Sequence, residues 1–147
     1  MYRVTREIAF CYGHRLLNYE GKCRYLHGHN GRAVIVLEAP SLDSRGMLVD
    51  FAEIKSKVQQ WVDENLDHNM LLCRDDPFLP VLREHGERVF VMDVNPTAEN
   101  IARLIYDQAA EAGLPVAEVT LWETANCHAS YASVSPGLAR RSAIPPA

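Results

Sequence analysis

The chain has 147 residues, of which 48% are hydrophobic and 23% charged, values typical of one globular domain. Its net charge of -4 argues against a general nucleic-acid-binding surface, and no apolar run approaches the roughly 20 residues of a membrane helix. The N-terminus lacks the apolar core of a signal peptide and the four cysteines show no paired spacing, so we expect a cytoplasmic protein without disulfides.

The first predicted element is a β-strand whose apolar side chains fall at even positions, although Arg6 interrupts the alternation. The apolar set is Tyr2, Val4, Ile8 and Phe10. A polar loop is predicted over residues 11–24, and His14 is expected near the end of the strand.

A histidine pair follows this loop in the sequence His27-Gly28-His29. Residues two apart in an extended chain share a face, so both imidazoles point to one side. Gly28 leaves the other side bare, and another backbone can pack closely there. A third imidazole from His14 would complete a ligand set that suits zinc and leaves one coordination position open. Cys23, four residues before His27, is close enough to face that open position.

Two later segments are predicted strands. Residues 33–37 form an unbroken run rich in β-branched side chains, typical of a strand buried on both faces, and in so short a chain this indicates a subunit interface. In residues 116–123, Glu123 shares a face with two apolar side chains, which costs free energy unless a partner binds the carboxylate. Residues 88–92 predict an optional short strand between the helices.

Two amphipathic helices are also predicted. The first begins at the N-cap Asp50, with Glu53 placed as in a capping box, and ends near Asn65. The second begins where Asn95 or Thr97 can cap it and stops at a Gly-x-Pro stretch. This order of elements is typical of an α+β fold with a mostly antiparallel sheet, four-stranded when the optional strand is counted, and both helices on one face.

Six short motifs occur in order over about residues 4–131, and each is weak alone. They are Phe10-x-x-x-His14, Cys23-x-x-x-His27-Gly28-His29, Gly46-x-x-x-Asp50-Phe51, Leu66-Asp67-His68, Pro96-Thr97-x-Glu99-Asn100 and Glu123-Thr124. Together they resemble the 6-pyruvoyltetrahydropterin synthase / 6-carboxytetrahydropterin synthase family. The resemblance implies a T-fold (tunnelling fold) over the whole of residues 1–147, in which three subunits close an oligomeric β-barrel and two barrels stack as a homohexamer.

The resemblance also implies a substrate and roles for the matched residues. The substrate would be 7,8-dihydroneopterin triphosphate, held at a subunit interface beside Zn²⁺. The zinc ligands would be His14, His27 and His29. The catalytic residues would be the thiol of Cys23, with Asp67 and His68 moving protons from a neighbouring subunit. The substrate-binding residues would be Glu123, which binds the amino group and ring N–H of the pterin, with Thr97 and Glu99.

Structural alternatives stay open for several of these residues. A His-x-His pair on a strand also occurs without metal. Asp67 and His68 can form a helix C-terminal pair, and Thr97 and Glu99 can be first-turn residues of a helix. Cys11 is a rival metal ligand. The cysteines outside the motifs are otherwise expected to be small core residues, and these are Cys11, Cys73 and Cys127.

Loop length predicts the product. In this family the pyruvoyl-type enzymes have five residues between the catalytic cysteine and the His-Gly-His motif, and the 6-carboxytetrahydropterin synthases of queuosine (7-deazaguanine) biosynthesis have three. This chain has three, residues 24–26. The sequence therefore predicts a lyase that releases triphosphate and acetaldehyde and leaves 6-carboxytetrahydropterin. The alternatives are a 6-pyruvoyltetrahydropterin synthase, or a non-catalytic T-fold protein that binds a pterin or purine or uses zinc structurally.

The chain departs from the family pattern in four places. Cys11-Tyr12-Gly13 stands where small residues are usual, and Asn30-Gly31 replaces a pair that ends in an aromatic residue. Both lie beside the predicted metal site, so they leave the choice of substrate open. The segment 73–94 is longer than in compact members, and the tail after about residue 135 is extended and expected to be weakly ordered.

Overall fold

A long antiparallel hairpin of β1 (Tyr2–His14) and β2 (His27–Ala39) forms the centre of the fold in the computed structural model, which describes residues 1–133. The other strands are β3 (Asn69–Cys73), β4 (Val89–Met92), β5 (Val116–Trp122) and β6 (His128–Ala132). The helices are α1 (Phe51–Ile54), α2 (Gln60–Asn65), α3 (Phe78–Glu84) and α4 (Ala98–Glu111), with a π-helical turn (Lys55–Gln59) joining α1 to α2 and a 3₁₀ turn (Lys22–Arg24) before β2. The predicted weakly ordered tail lies outside the described residues.

The strands form one sheet in the order β4-β3-β1-β2-β5-β6. The pairs β1–β2, β2–β5 and β5–β6 are antiparallel, whereas β3 is parallel to β1 and β4 is parallel to β3. The prediction of four antiparallel strands is therefore wrong in number and partly in direction. The optional strand at 88–92 is confirmed as β4. Sequence reasoning missed β3 and β6 because neither contains a β-branched residue, whereas the shorter β4 has two valines.

Alternate side chains of the hairpin form the core, together with the apolar faces of α1, α2 and α4. The fully buried row of β2 consists of Ala33, Ile35 and Leu37. Val34 and Val36 point the other way and are half-buried, so the strand predicted to be buried on both faces is covered on one face in the single chain. The placement of both long helices on one face of the sheet is confirmed.

The first helix begins as predicted but lacks the capping box. Asp50 caps α1 by accepting a backbone N–H of the first turn at 2.8 Å. The carboxylate of Glu53 instead accepts a hydrogen bond from Nζ of Lys57 at 3.0 Å. Arg6, which interrupts the alternation of β1, donates to Oε1 of Gln59 in the π-helical turn at 2.7 Å. Among residues 1–133, no helix has the length and apolar character of a membrane span.

Candidate metal and substrate site

Three histidines converge at the end of the β1–β2 hairpin where the loop joins the two strands. The strand register pairs His14 with His27 and Tyr12 with His29, so all four rings meet on one side. Nε2 of His14 lies 3.0 Å from Nε2 of His27 and 3.2 Å from Nε2 of His29. A Cβ added at Gly28 would lie 2.9 Å from the carbonyl oxygen of Tyr12, so the predicted close approach of a backbone is confirmed.

Hydrogen bonds to the backbone decide which nitrogen each ring presents. Nδ1 of His14 lies 2.7 Å from the carbonyl oxygen of Pro96, and Nδ1 of His27 lies 2.7 Å from that of Tyr25. A carbonyl oxygen only accepts, so each Nδ1 carries the hydrogen and each neutral ring presents a lone pair at Nε2. Burial lowers the pKa of His14, against the opposing effects of the Pro96 carbonyl and Glu123, which keeps this ring neutral at pH 7.

This arrangement fits a zinc ion. Two lone pairs that face each other at 3.0 Å repel unless a cation or proton lies between them. With Zn–N bonds of about 2.0–2.1 Å, the nitrogens of a tetrahedral site lie about 3.3 Å apart, close to the spacing found here. Neutral imidazole is also the form of histidine that binds a metal. The ligand atoms of His14, His27 and His29 all lie within 4.8 Å of one another, and three ligands leave one position for substrate or water.

A cavity of about 370 Å³ opens beside the histidines and gathers most of the other predicted site residues. The predicted residues that line it are His14, Cys23, Thr97, Glu99 and Glu123. Cys127 and His128, from the hairpin that ends in β6, line it as well and were missed from the sequence. The sequence analysis could not place these two residues at the site, because it did not predict β6.

The loop that carries Cys23 is held by backbone hydrogen bonds. Cys23 lies in the 3₁₀ turn, and its carbonyl oxygen accepts the N–H of Leu16 at 2.8 Å. The side chain of Asn95 binds both backbone groups of Leu17, accepting its N–H and donating to its carbonyl oxygen, each at 2.9 Å. Because Asn95 lies two residues before Thr97, the N-cap of α4, it connects the loop that carries Cys23 to the start of that helix.

A buried ion pair holds the same loop from the other side. Arg15 donates two hydrogen bonds to Asp76, at 2.7 and 2.8 Å, and the Asp76 side chain is fully buried. The guanidinium also lies 4.1 Å from the ring centre of Phe78. The long segment 73–94, whose purpose the sequence left open, therefore contacts the residue next to His14.

Thr97 and Glu99 were predicted either to bind substrate or to serve only the first turn of a helix. Thr97 caps α4, since its Oγ1 accepts the N–H of Asn100 at 3.3 Å, and Glu99 lies in the first turn. Both also line the cavity beside the histidines. Both residues therefore serve the start of α4, as the alternative predicted, and both are also placed where a ligand in the cavity could contact them.

Glu123 lies directly after β5 and its carboxylate faces the histidines. Oε1 lies 3.8 Å from Nε2 of His14 and 3.9 Å from Nε2 of His29. The hydroxyl of Tyr12 donates to the same Oε1 at 2.8 Å. Burial, and then the negative charge of Glu123, raise the pKa of Tyr12 far above its ordinary value, so the hydroxyl remains a donor. Tyr12 is the partner that a carboxylate in an apolar row requires, and sequence reasoning did not identify it.

Asp67 and His68 form a pair in a different cleft. Nδ1 of His68 lies 2.8 Å from Oδ2 of Asp67, and Oδ1 of Asp67 accepts the N–H of Cys11 at 2.8 Å. Burial alone would raise the pKa of Asp67, but the hydrogen bonds from Cys11 and His68 outweigh it and lower the pKa. The His68 side chain is 73% exposed and lines a cleft of about 490 Å³ that does not include Cys23. A single chain therefore does not bring this pair to the thiol.

Two expectations about the remaining cysteines are wrong. Strand β1 continues to His14, beyond the predicted loop boundary, so Cys11 points to the opposite face from His14 and is not a rival ligand. The expectation that Cys11, Cys73 and Cys127 are core residues is also wrong. Cys11 and Cys127 are exposed, and Cys73 is half-buried.

Comparison with known proteins shows which family the chain belongs to. A family model described as 6-pyruvoyl tetrahydropterin synthase matches residues 3–133. The chain belongs to this family. A relative from Rickettsia bellii named 6-carboxy-5,6,7,8-tetrahydropterin synthase is 40% identical, and one of the same name from Rickettsia conorii is 37% identical. Each alignment covers 86% of this chain and 97% of the relative.

Solved structures show the family fold. An uncharacterized protein from Wolinella succinogenes superposes with a TM-score of 0.75 at 27% identity, covering 90% of this chain and 98% of that one. A Plasmodium vivax 6-pyruvoyltetrahydropterin synthase mutant superposes with a TM-score of 0.70 at 20% identity, covering 88% and 96%. As a member of the 6-pyruvoyl tetrahydropterin synthase family, the chain is a T-fold protein and a lyase of the tetrahydropterin synthase type.

Proposed function

We propose that the chain is a zinc-dependent 6-carboxy-5,6,7,8-tetrahydropterin synthase of queuosine (7-deazaguanine) biosynthesis. It would convert 7,8-dihydroneopterin triphosphate and water to 6-carboxytetrahydropterin, acetaldehyde and triphosphate. The observation that carries the proposal is the cluster of three imidazoles, whose His14 lines one cavity together with the thiol of Cys23 and the carboxylate of Glu123. Relatives of that name at 37–40% identity and the three-residue spacing after Cys23 support this choice of product.

The proposed roles follow from the geometry of the cavity. When bound by His14, His27 and His29, zinc would act as a Lewis acid toward the substrate's side-chain hydroxyls. Cys23, on the same cavity, would serve as the base that removes a proton from the side chain. Glu123 would accept the adjacent N–H donors of the pterin ring, because a carboxylate binds two parallel donors well.

The atoms of this reaction balance with one water. The ring-attached carbon of the three-carbon side chain stays as the carboxylate, and the other two carbons leave as acetaldehyde. Triphosphate leaves from the terminal carbon. The pterin ring gains two hydrogens as the side chain is oxidised, so no external oxidant or reductant is required.

We further propose a homohexamer, a dimer of trimers, with sites completed between subunits. Within one chain, Asp67 and His68 lie in a different cleft from Cys23. In the proposed hexamer, the pair of one subunit would face the Cys23 of a neighbouring subunit. The outward face of β2, at Val34 and Val36, is half-buried in the single chain and available for further burial. Light scattering at micromolar concentration tests this, and a stable monomer would contradict it.

The test of the reaction is incubation with 7,8-dihydroneopterin triphosphate and identification of the products by mass spectrometry. Acetaldehyde and 6-carboxytetrahydropterin are expected, whereas 6-pyruvoyltetrahydropterin without acetaldehyde would refute the argument from spacing. Binding without turnover would indicate a non-catalytic protein. Cys23→Ala should abolish turnover and keep zinc, while the matched variant Cys73→Ala, in β3, should retain both.

A further inference from the structure

We propose that Tyr12 is a positioning residue, one that orients the Glu123 carboxylate for the pterin ring and so contributes to substrate recognition. The inference rests on the proposed function, since it concerns the same ring-binding carboxylate. It starts from a contact between strands that are not neighbours. Tyr12 lies on β1 and Glu123 follows β5, with β2 between them, yet the hydroxyl and Oε1 are 2.8 Å apart.

Gly31 provides the space for this contact. The β1–β2 register pairs Phe10 with Gly31, and the β2–β5 register continued by one residue places Gly31 beside Glu123. A Cβ added at Gly31 would lie 2.8 Å from Cε1 of Tyr12, closer than carbon atoms pack. A residue with any side chain at position 31 would therefore displace the tyrosine ring from its path across β2.

The ring has little freedom to move elsewhere. Tyr12 is 2% exposed, stacks on Phe10 at a centroid distance of 5.3 Å and contacts the edge of His14 at 5.3 Å. Its hydroxyl position is thus determined by packing rather than by the hydrogen bond. A donor held in this way fixes the carboxylate that it binds, because one oxygen of Glu123 must stay within reach of it.

The consequence concerns how a ligand is recognised. One hydrogen bond to Oε1 leaves Oε2 and the second lone pair of Oε1 as acceptors. Two adjacent N–H groups of a pterin ring need both oxygens at a defined plane and distance. Glu123 is half-buried beside two imidazoles, so without Tyr12 its carboxylate could rotate away from that plane. Tyr12 therefore contributes binding energy without touching the ligand.

The test measures the affinity of zinc-loaded protein for 7,8-dihydroneopterin. Tyr12→Phe removes only the hydroxyl and is expected to weaken binding about tenfold, with KM for the triphosphate raised similarly, kcat within about twofold and zinc content unchanged. Tyr106→Phe is the matched control, since this nearly buried tyrosine donates to the carbonyl oxygen of Val116 away from the site. It should leave the affinity unchanged.

A double-mutant cycle separates positioning from general core packing. Glu123→Ala removes the acceptor and should weaken binding more than Tyr12→Phe does, and the double variant should bind no more weakly than Glu123→Ala alone. Gly31→Ala keeps the hydroxyl but displaces the ring, so it should reproduce the loss seen in Tyr12→Phe.

Three outcomes would overturn the inference. The first is that Tyr12→Phe matches Tyr106→Phe in affinity. The second is that its loss of affinity adds fully to that of Glu123→Ala, and the third is that its loss of affinity accompanies loss of zinc. In each case the wild-type protein still binds the pterin, so the proposed function stands. If the wild-type protein binds no dihydroneopterin, both proposals fail together.

Discussion

The ion pair between Arg15 and Asp76 offers a test that depends on neither zinc nor substrate. The Asp76 side chain is fully buried and that of Arg15 is 15% exposed. Asp76 accepts two hydrogen bonds from the guanidinium and one from the N–H of Phe78. The change Asp76→Ala removes all three acceptor contacts and leaves the guanidinium without its counter-charge.

The expected loss in free energy of unfolding follows from the burial of the pair. Removing one partner of a buried ion pair typically costs about 3–5 kcal/mol, because the remaining charge stays desolvated. Since Arg15 retains some contact with solvent, we expect the lower end, about 3 kcal/mol. For a protein of this size, that corresponds to a fall in Tm of about 6–12 °C. The double variant Asp76→Ala/Arg15→Met should recover part of the loss by removing the unpaired charge.

The assay is equilibrium urea unfolding at fixed protein and zinc concentration, since ligands and subunit association shift apparent stability. The matched control is Asp93→Ala, which breaks an Arg–Asp pair with Arg74 in the same segment. Those side chains are 79% and 66% exposed, so the expected loss is at most about 1 kcal/mol. If Asp76→Ala and Asp93→Ala lose equal stability, the reasoning from burial is refuted.

Three further predictions concern the site. His27→Ala should lose most of the bound zinc by elemental analysis, whereas His85→Ala, at the end of α3, should retain it; equal retention would contradict the ligand assignment. Asn95→Ala should lower kcat without loss of zinc, because it releases the loop that carries Cys23; an unchanged kcat would show that the loop holds its place without this contact. The lowered pKa of Asp67 means that its ionised form stabilises the fold above the unfolded pKa of about 3.9. The advantage of wild type over Asp67→Asn in urea unfolding should therefore be present at neutral pH and shrink as the pH falls below about 4, and a pH-independent difference would contradict this.

The sequence by itself determined the local part of the site. His27 and His29 share a face because side chains alternate along any extended strand, and Gly28 admits a close backbone for the same reason. The caps Asp50 and Thr97 could be predicted because a helix start has unpaired N–H groups that nearby side chains bind. These features depend on a few neighbouring residues, which a sequence displays directly.

The tertiary structure decided what comes together from distant parts of the chain. Tyr12 and Glu123 are 111 residues apart, and their contact depends on β2 lying between their strands and on Gly31 leaving room there. The face occupied by Cys11 depended on where β1 ends, and the partner of Arg15 depended on the path of the segment 73–94. Strand order and register set these contacts, and no local periodicity encodes them. That is why the pairing of His27 with His29 was predictable and the partner of the Glu123 carboxylate was not.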